Sequence, residues 1–149
     1  MSEAVRDFSQ CYGHAFEDLK VGMSAAVGRT VTEADIAIFA GVSGDTNPVH
    51  LDAEFAASTM FGERIAHGML SASFISAVFG TKLPGPGCIY LGQSMNFKAP
   101  VKVGETVVAR VTVRELVTHK RRAFFDTVCT VAGKVVLEGH AEIYLPARD

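Results

Sequence analysis

One stretch of this 149-residue chain limits its fold more than any other: His67 to Phe79, HGMLSASFISAVF. It carries no acid, lysine or arginine, and Ala, Ser, Met, Leu, Ile and Phe are spread over every side of the helix it would form. A helix apolar nearly all the way round is buried rather than laid on a surface. It is also far short of the roughly 20 residues needed to cross a bilayer. Gly80 closes it, and Leu83-Pro84-Gly85-Pro86-Gly87 is a rigid loop that cannot continue it. Downstream, Ile89 to Phe97, Glu105 to Val117, Ala123 to Val131 and Val135 to Tyr144 are β-branched and aromatic runs. Turn signals at His119-Lys120-Arg121-Arg122 and Ala132-Gly133-Lys134 separate the last three. Val107, Ala109, Val111 and Val113 alternate as in a strand with one covered face. Pro100 marks where the chain leaves one strand before entering the next. A buried helix followed by consecutive antiparallel strands predicts an α+β fold in which a curved sheet wraps the helix.

Upstream, residues 1–15 are irregular and expected to form a loose arm, and residues 16–149 form one domain without repeats. Ser24 to Val31 reads as a first strand. Thr32 is placed to cap a helix whose first turn holds Glu33 and Asp35, with Ile36, Phe39 and Ala40 as the buried stripe. Asn47-Pro48 is expected to open a loop, followed by a short helix over Ala53 to Thr59.

Composition removes several function classes. A formal net charge of -2 and a pI near 6.2 offer no bulk positive field for nucleic acid. The first residues include Glu3 and Asp7 and no apolar block, unlike a secretory signal, so no membrane association and a cytoplasmic location are expected. Cys11, Cys88 and Cys129 form no C-x-x-C pair, which predicts buried thiols in a reducing compartment.

Chemistry concentrates in Phe39-Ala40-Gly41-Val42-Ser43-Gly44-Asp45-Thr46-Asn47-Pro48-Val49-His50. Gly44 and Asn47-Pro48 shape an irregular segment on which polar side chains can converge. A histidine titrates near ~6.5 when unperturbed, so His50 can take or give a proton, and Asp45 can accept from a water. From spacing alone, a helix end with a solvated histidine is the commoner outcome. A metal held by Asp45, His50, Asp52 and His67 is a third option, unsupported by any H-E-x-x-H pattern. Gly68, opening the buried helix, leaves backbone N–H groups free for an oxygen that gains charge, or else permits close packing. His67 reads equally as cap, core partner or site residue. Ser71, Ser73 and Ser76 lie on the helix, where a hydroxyl usually bonds the carbonyl one turn back; Ser76, eight residues beyond Gly68, shares its face broadly.

Together these segments resemble the MaoC-like dehydratase family, specifically the (R)-specific enoyl-CoA hydratases. The family's signature is matched by Phe39, Ser43-Gly44-Asp45, Asn47-Pro48, His50 and Ala56. The likeness continues through Phe61, Ile65-Ala66-His67-Gly68-Met69-Leu70, Leu83-Pro84-Gly85, Ile89 to Ser94, Phe97 to Val101 and Val103-Gly104-Glu105. It implies a hot-dog fold, the buried helix being the sausage and the sheet the bun, and a homodimer joined edge to edge through its sheets. It implies reversible hydration of a trans-2-enoyl-CoA to the (R)-3-hydroxyacyl-CoA, in fatty acid or polyhydroxyalkanoate metabolism. No cofactor and no metal is expected, CoA being part of the substrate. The resemblance assigns Asp45 and His50 to the water, one taking its proton while the other supplies one to the alpha carbon. It assigns the Gly68 N–H to the thioester carbonyl, Asn47 to orienting loop or water, and Ser76 to the substrate pocket, with His67 also expected against the substrate. Lys120-Arg121-Arg122 reads as a solvated hairpin tip, with contact to CoA phosphates as the sharper option. A thioesterase on the same fold is the competing enzyme, although His67 to Gly80 lacks the helix-borne acid it would use. A noncatalytic acyl-CoA binding module is the competing non-enzyme.

Overall fold

A computed structural model describes residues 6–148. Among these described residues, five strands and four α-helices follow one another as β1 (Ser24–Thr30), α1 (Glu33–Ser43), α2 (Pro48–Leu51), α3 (Ala53–Ala57), α4 (Gly68–Thr81), β2 (Ile89–Phe97), β3 (Thr106–Val117), β4 (Arg122–Val131) and β5 (Lys134–Tyr144). The strands form one antiparallel sheet in the order β1-β3-β4-β5-β2, which leaves β1 and β2 at its edges. The strands expected from the β-branched runs are all present within a residue or two of their expected ends.

The alternation in β3 works as a one-sided face. Val107, Ala109, Val111 and Val113 are all buried, and they meet Ala123, Phe125 and Cys129 of β4 and Leu137, Ala141 and Ile143 of β5. Against this face lies α4, through Leu70, Phe74, Ile75, Val78 and Phe79. Burying each such side chain contributes about 1.5–3 kcal/mol relative to leaving it exposed. Phe79 sets its ring edge-on to Phe125 at 4.9 Å, a favoured aromatic geometry. Register shifts interrupt β2 at Tyr90/Gly92, β3 at Val113/Glu115 and β5 at Val136, opposite Cys129/Thr130 of β4. Bulges of this kind bend strands and increase their twist, which lets a five-stranded sheet close around a helix. The β4–β5 hairpin turns at Ala132 and Gly133, whose φ values of 49° and 79° suit the tight turn that right-twisted strands require.

Four features depart from the sequence reading. α4 runs through Gly80 to Thr81 and is buried on one side only: Gly68, Met69, Ser73, Ser76, Ala77 and Gly80 are exposed in the single chain. An apolar stripe all round therefore does not mean burial by the same chain all round. Asn47-Pro48 opens α2 rather than a plain loop, because proline at the first helical position lacks an N–H that has no intrahelical acceptor anyway. Of the expected arm, residues 1–5 lie outside the described residues. Its far end is tied down, with Gly13 N–H donating to Pro86 O (2.9 Å) and His14 N–H to Pro84 O (2.7 Å). Of the cysteines expected inside, Cys129 is buried, Cys88 half-buried and Cys11 exposed, so the last follows the surface position of its short turn. Among the described residues no helix is long and apolar enough to cross a membrane.

Candidate active site

The segment between α1 and α2 is shaped by its own side chains. Thr32 caps α1 by accepting from Asp35 N–H (3.1 Å), and Asp35 accepts from Thr32 N–H in return (3.0 Å). These hydrogen bonds, chiefly the one from Thr32 N–H, hold the Asp35 carboxyl below the usual carboxylate range. At the other end Gly44 takes a left-handed turn (φ 76°) and its N–H returns to Ala40 O at 2.9 Å. Ser43 Oγ then accepts from Asp45 N–H (3.1 Å), Asp45 Oδ1 from Asn47 N–H (3.2 Å), and Asn47 Oδ1 from Val49 N–H (3.1 Å). Asn47 is thus the N-cap of α2, which fixes where His50 emerges.

His50 is buried and its ring orientation is determined. Nδ1 lies 2.8 Å from the carbonyl oxygen of Ile65. A carbonyl oxygen can only accept, so Nδ1 carries the proton in the neutral ring and Nε2 keeps its lone pair. That Nε2 sits 3.9 Å from Asp45 Oδ2. The two are too far apart to bond to each other, yet one water can reach both at ordinary hydrogen-bond length. His67 stacks beneath His50 with ring centroids 3.8 Å apart and planes inclined by 28°. Its Nε2–H donates to the main-chain carbonyl of Asp45 at 2.8 Å. Among the described residues, His67 Nδ1 is buried without a hydrogen-bond partner, and so is Ser71 Oγ one turn on.

These groups open onto a cleft of about 740 Å³ whose walls are predominantly apolar, including Phe39, Phe61, Ile65, Met69, Phe97 and Val101. Asp45, His50, His67 and Gly68 all line it. Gly68 is the first residue of α4, where an N–H has no carbonyl one turn back and the helix dipole is positive. A Cβ at Gly68 would lie 2.6 Å from the Phe97 ring, so the absence of a side chain serves close packing as well as access to the backbone.

Asp45, His50, His67 and Gly68 therefore converge in one place. Asn47 does not line the cleft; three residues before His50, its side chain caps α2. Ser76 does not line the cleft; it lies on the exposed face of α4. Asp52, weighed as a metal ligand, caps α3 instead by accepting from Phe55 N–H at 3.0 Å. Asp45, His50 and His67 present donor atoms within 4.8 Å of one another. However, an ion must lie near the plane of each imidazole it binds, and rings stacked at 28° share little in-plane space. Arg121 and Arg122 are engaged by Glu17 and Glu142, which makes their hairpin tip structural. Sequence reasoning gave no role to Arg64, which donates to the His50 carbonyl, and its expectation that Ser71 bonds the helix carbonyl one turn back is corrected: Ser73 does so toward Leu70 O, whereas the Ser71 hydroxyl has no partner among the described residues.

Comparison with known proteins places this geometry among relatives. Residues 18–139 match the family model described as the MaoC like domain. An (R)-specific enoyl-CoA hydratase of Rhodospirillum rubrum is 59% identical over 135 residues, 91% of this chain and 94% of that protein. A 3-hydroxybutyryl-CoA dehydratase of Methylorubrum extorquens is 46% identical over 134 residues, covering 90% of this chain and 85% of the other. Among solved structures, the (R)-hydratase of Aeromonas caviae involved in polyhydroxyalkanoate biosynthesis superimposes with a TM-score of 0.84 at 44% identity, over 87% of this chain and 99% of that one. The fold is accordingly the α+β hot-dog fold, with α4 as its central helix. On a matched segment that carries the Asp45–His50 pair and the cleft around it, this chain belongs to the MaoC-like domain family.

Proposed function

We propose that the protein is an (R)-specific enoyl-CoA hydratase, a hydro-lyase that adds water reversibly to a trans-2-enoyl-CoA. The observation that carries this reading is the unprotonated Nε2 of His50 facing the Asp45 carboxylate at 3.9 Å on the wall of an apolar cleft. A water bound between them donates one hydrogen to Asp45 and the other to His50 Nε2. As His50 takes its proton, the water oxygen bonds to C3, the C2–C3 double bond shifts toward C1, and charge gathers on the thioester oxygen. The Gly68 N–H, at the positive end of α4, receives that charge. The imidazolium then returns the proton from Nε2 to C2 on the same face, so His50 performs both transfers that the resemblance divides between Asp45 and His50; this gives syn addition and leaves both side chains as they began. Asp45 stays a carboxylate throughout and stabilises the imidazolium. Nothing in these steps calls for a metal or redox cofactor.

His67 acts in this scheme under His50 and on the Asp45 carbonyl, and Asn47 by placing the start of α2. The working form is a homodimer. β2 is an edge strand on which Ile89, Tyr90 and Leu91 are exposed, and Met69 and small residues of α4 are exposed too, surfaces suited to a second copy. Ser76 lies on that exposed face of α4, so its contact with substrate would depend on the dimer. A cytoplasmic location is part of this reading, acyl-CoA thioesters being intracellular substrates.

The test is loss of enoyl-thioester absorbance from crotonyl-CoA, followed by the chirality of the product. Loss with formation of (R)-3-hydroxybutyryl-CoA is the expected result. Release of free CoA thiol without hydration would make it a thioesterase. Tight binding with no turnover of short, long or branched enoyl-CoA would make it a binding module.

A further inference from the structure

The carbonyl oxygen of His50 and its ring nitrogen are held by two consecutive residues. Arg64 Nε donates to His50 O at 2.7 Å, while Ile65 O accepts from His50 Nδ1–H at 2.8 Å and Ile65 N–H donates to Val49 O at 3.3 Å. The remaining donors of Arg64 are not idle. Nη1 and Nη2 grip both oxygens of Glu33, the first residue of α1, at 2.9 and 3.0 Å. α2 is only four residues long, too short to hold its shape by its own backbone bonds, and His50 lies one residue from its end. Its terminal carbonyls need partners from elsewhere. A planar guanidinium can meet a carbonyl on one edge and a carboxylate on another at once; a lysine ammonium on a flexible stem cannot hold both in fixed directions.

We infer that Arg64 is a positioning residue for His50: by tying the end of α2 to the start of α1, it keeps Nδ1–H on the Ile65 carbonyl and so keeps Nε2 free as the base. This rests on the hydratase reading for its effect on turnover but not for its effect on the ring. With the bracket broken, the His50 backbone moves off Ile65 O, the ring samples the other tautomer, and the lone pair is on the wrong nitrogen for part of the time.

The decisive measurement is the tautomer of His50 from long-range proton–nitrogen spectra of the ¹⁵N-labelled protein, alongside kcat and KM for crotonyl-CoA. In the wild type, His50 is expected as the Nδ1–H form. In Arg64→Met, a mixture of tautomers is expected, with kcat down about 10- to 100-fold and KM within about twofold. Arg64→Lys should recover only part of kcat. Should Arg64→Met not fold, Glu33→Ala supplies the test, because Glu33 is mostly exposed and its removal frees the fork: a several-fold smaller kcat with a partly mixed tautomer is expected. Retention of the pure Nδ1–H form with kcat near wild type in the folded variant overturns the inference. So does a loss of kcat that merely follows the loss of folded protein, with the tautomer unchanged. If the wild type hydrates no enoyl thioester, the functional reading fails while the tautomer comparison still decides the role of Arg64.

Discussion

Asp45 and His50 lie five residues apart and face the same cleft, yet they are held in opposite ways. Asp45 has a half-exposed side chain, and its segment is set chiefly by Ser43 and Asn47, each two residues away, with one distant bond from His67 to its main-chain carbonyl. His50 is buried and depends on Arg64, Ile65 and His67, from 14 to 17 residues further along the chain. The carboxylate thus rests on local turn chemistry, and the imidazole on tertiary packing. The pairing suits the two tasks: a group that only binds water and balances charge tolerates solvent, whereas a group that must offer one particular nitrogen needs its other nitrogen fixed.

The harshest way to break the comparison is to remove each group in turn. His50→Ala and Asp45→Asn are each expected to lower kcat by about two orders of magnitude or more while the circular dichroism spectrum is kept. Asp45→Asn should leave the protein fully folded, since its neighbours are close in sequence. Turnover near wild type in either variant would remove that residue from the mechanism. Gly68→Ala comes next. The new methyl meets the Phe97 ring, which is half exposed and can move, so the expected outcome is a roughly tenfold fall in kcat/KM with a small loss of stability. Unchanged kinetics would show that the close approach at Gly68 does not matter to turnover, since alanine keeps the backbone N–H.

Asn47→Ala probes the local half of the comparison. Loss of the α2 cap should cost about 1 kcal/mol in a denaturant melt and lower kcat several-fold; Asn47→Asp, which can still cap, should restore the stability. The smallest expected effect is pH-dependent and concerns α1. The folded Asp35 carboxyl titrates below its unfolded value, so its contribution is present above about pH 4 and is lost as pH falls through the lowered folded value. The Tm difference between wild type and Asp35→Asn should therefore be a few degrees at neutral pH and shrink on acidification. A gap that stayed constant down to pH ~3 would place the effect in the side-chain shape rather than the charge.

The sheet and central helix were legible because their signals repeat. Four β-branched runs and an alternating Val107-Ala109-Val111-Val113 face can only form strands against something apolar, and His67 to Phe79 supplies it. Thr32, Gly44 and Asn47 were legible as cap or turn residues for the same local reason, although Asn47-Pro48 pointed to a loop and produced a helical turn. Arg64 was not legible. An arginine seated before Ile65-Ala66-His67 looks like any solvated charge until the fold brings α1 and α2 to it.

By itself, then, the sequence determined the element order, the one-sided core, the caps and the identity of the residues that can exchange protons. Those depend on side-chain pattern and on hydrogen bonds between residues two to four apart, which the chain carries wherever it goes. Only the tertiary structure decided which nitrogen of His50 is free, that His67 lies beneath it, and that Ser76 faces away from the cleft in the single chain. Each of these is set by a carbonyl, a ring or a surface distant in sequence, whose direction no local pattern encodes.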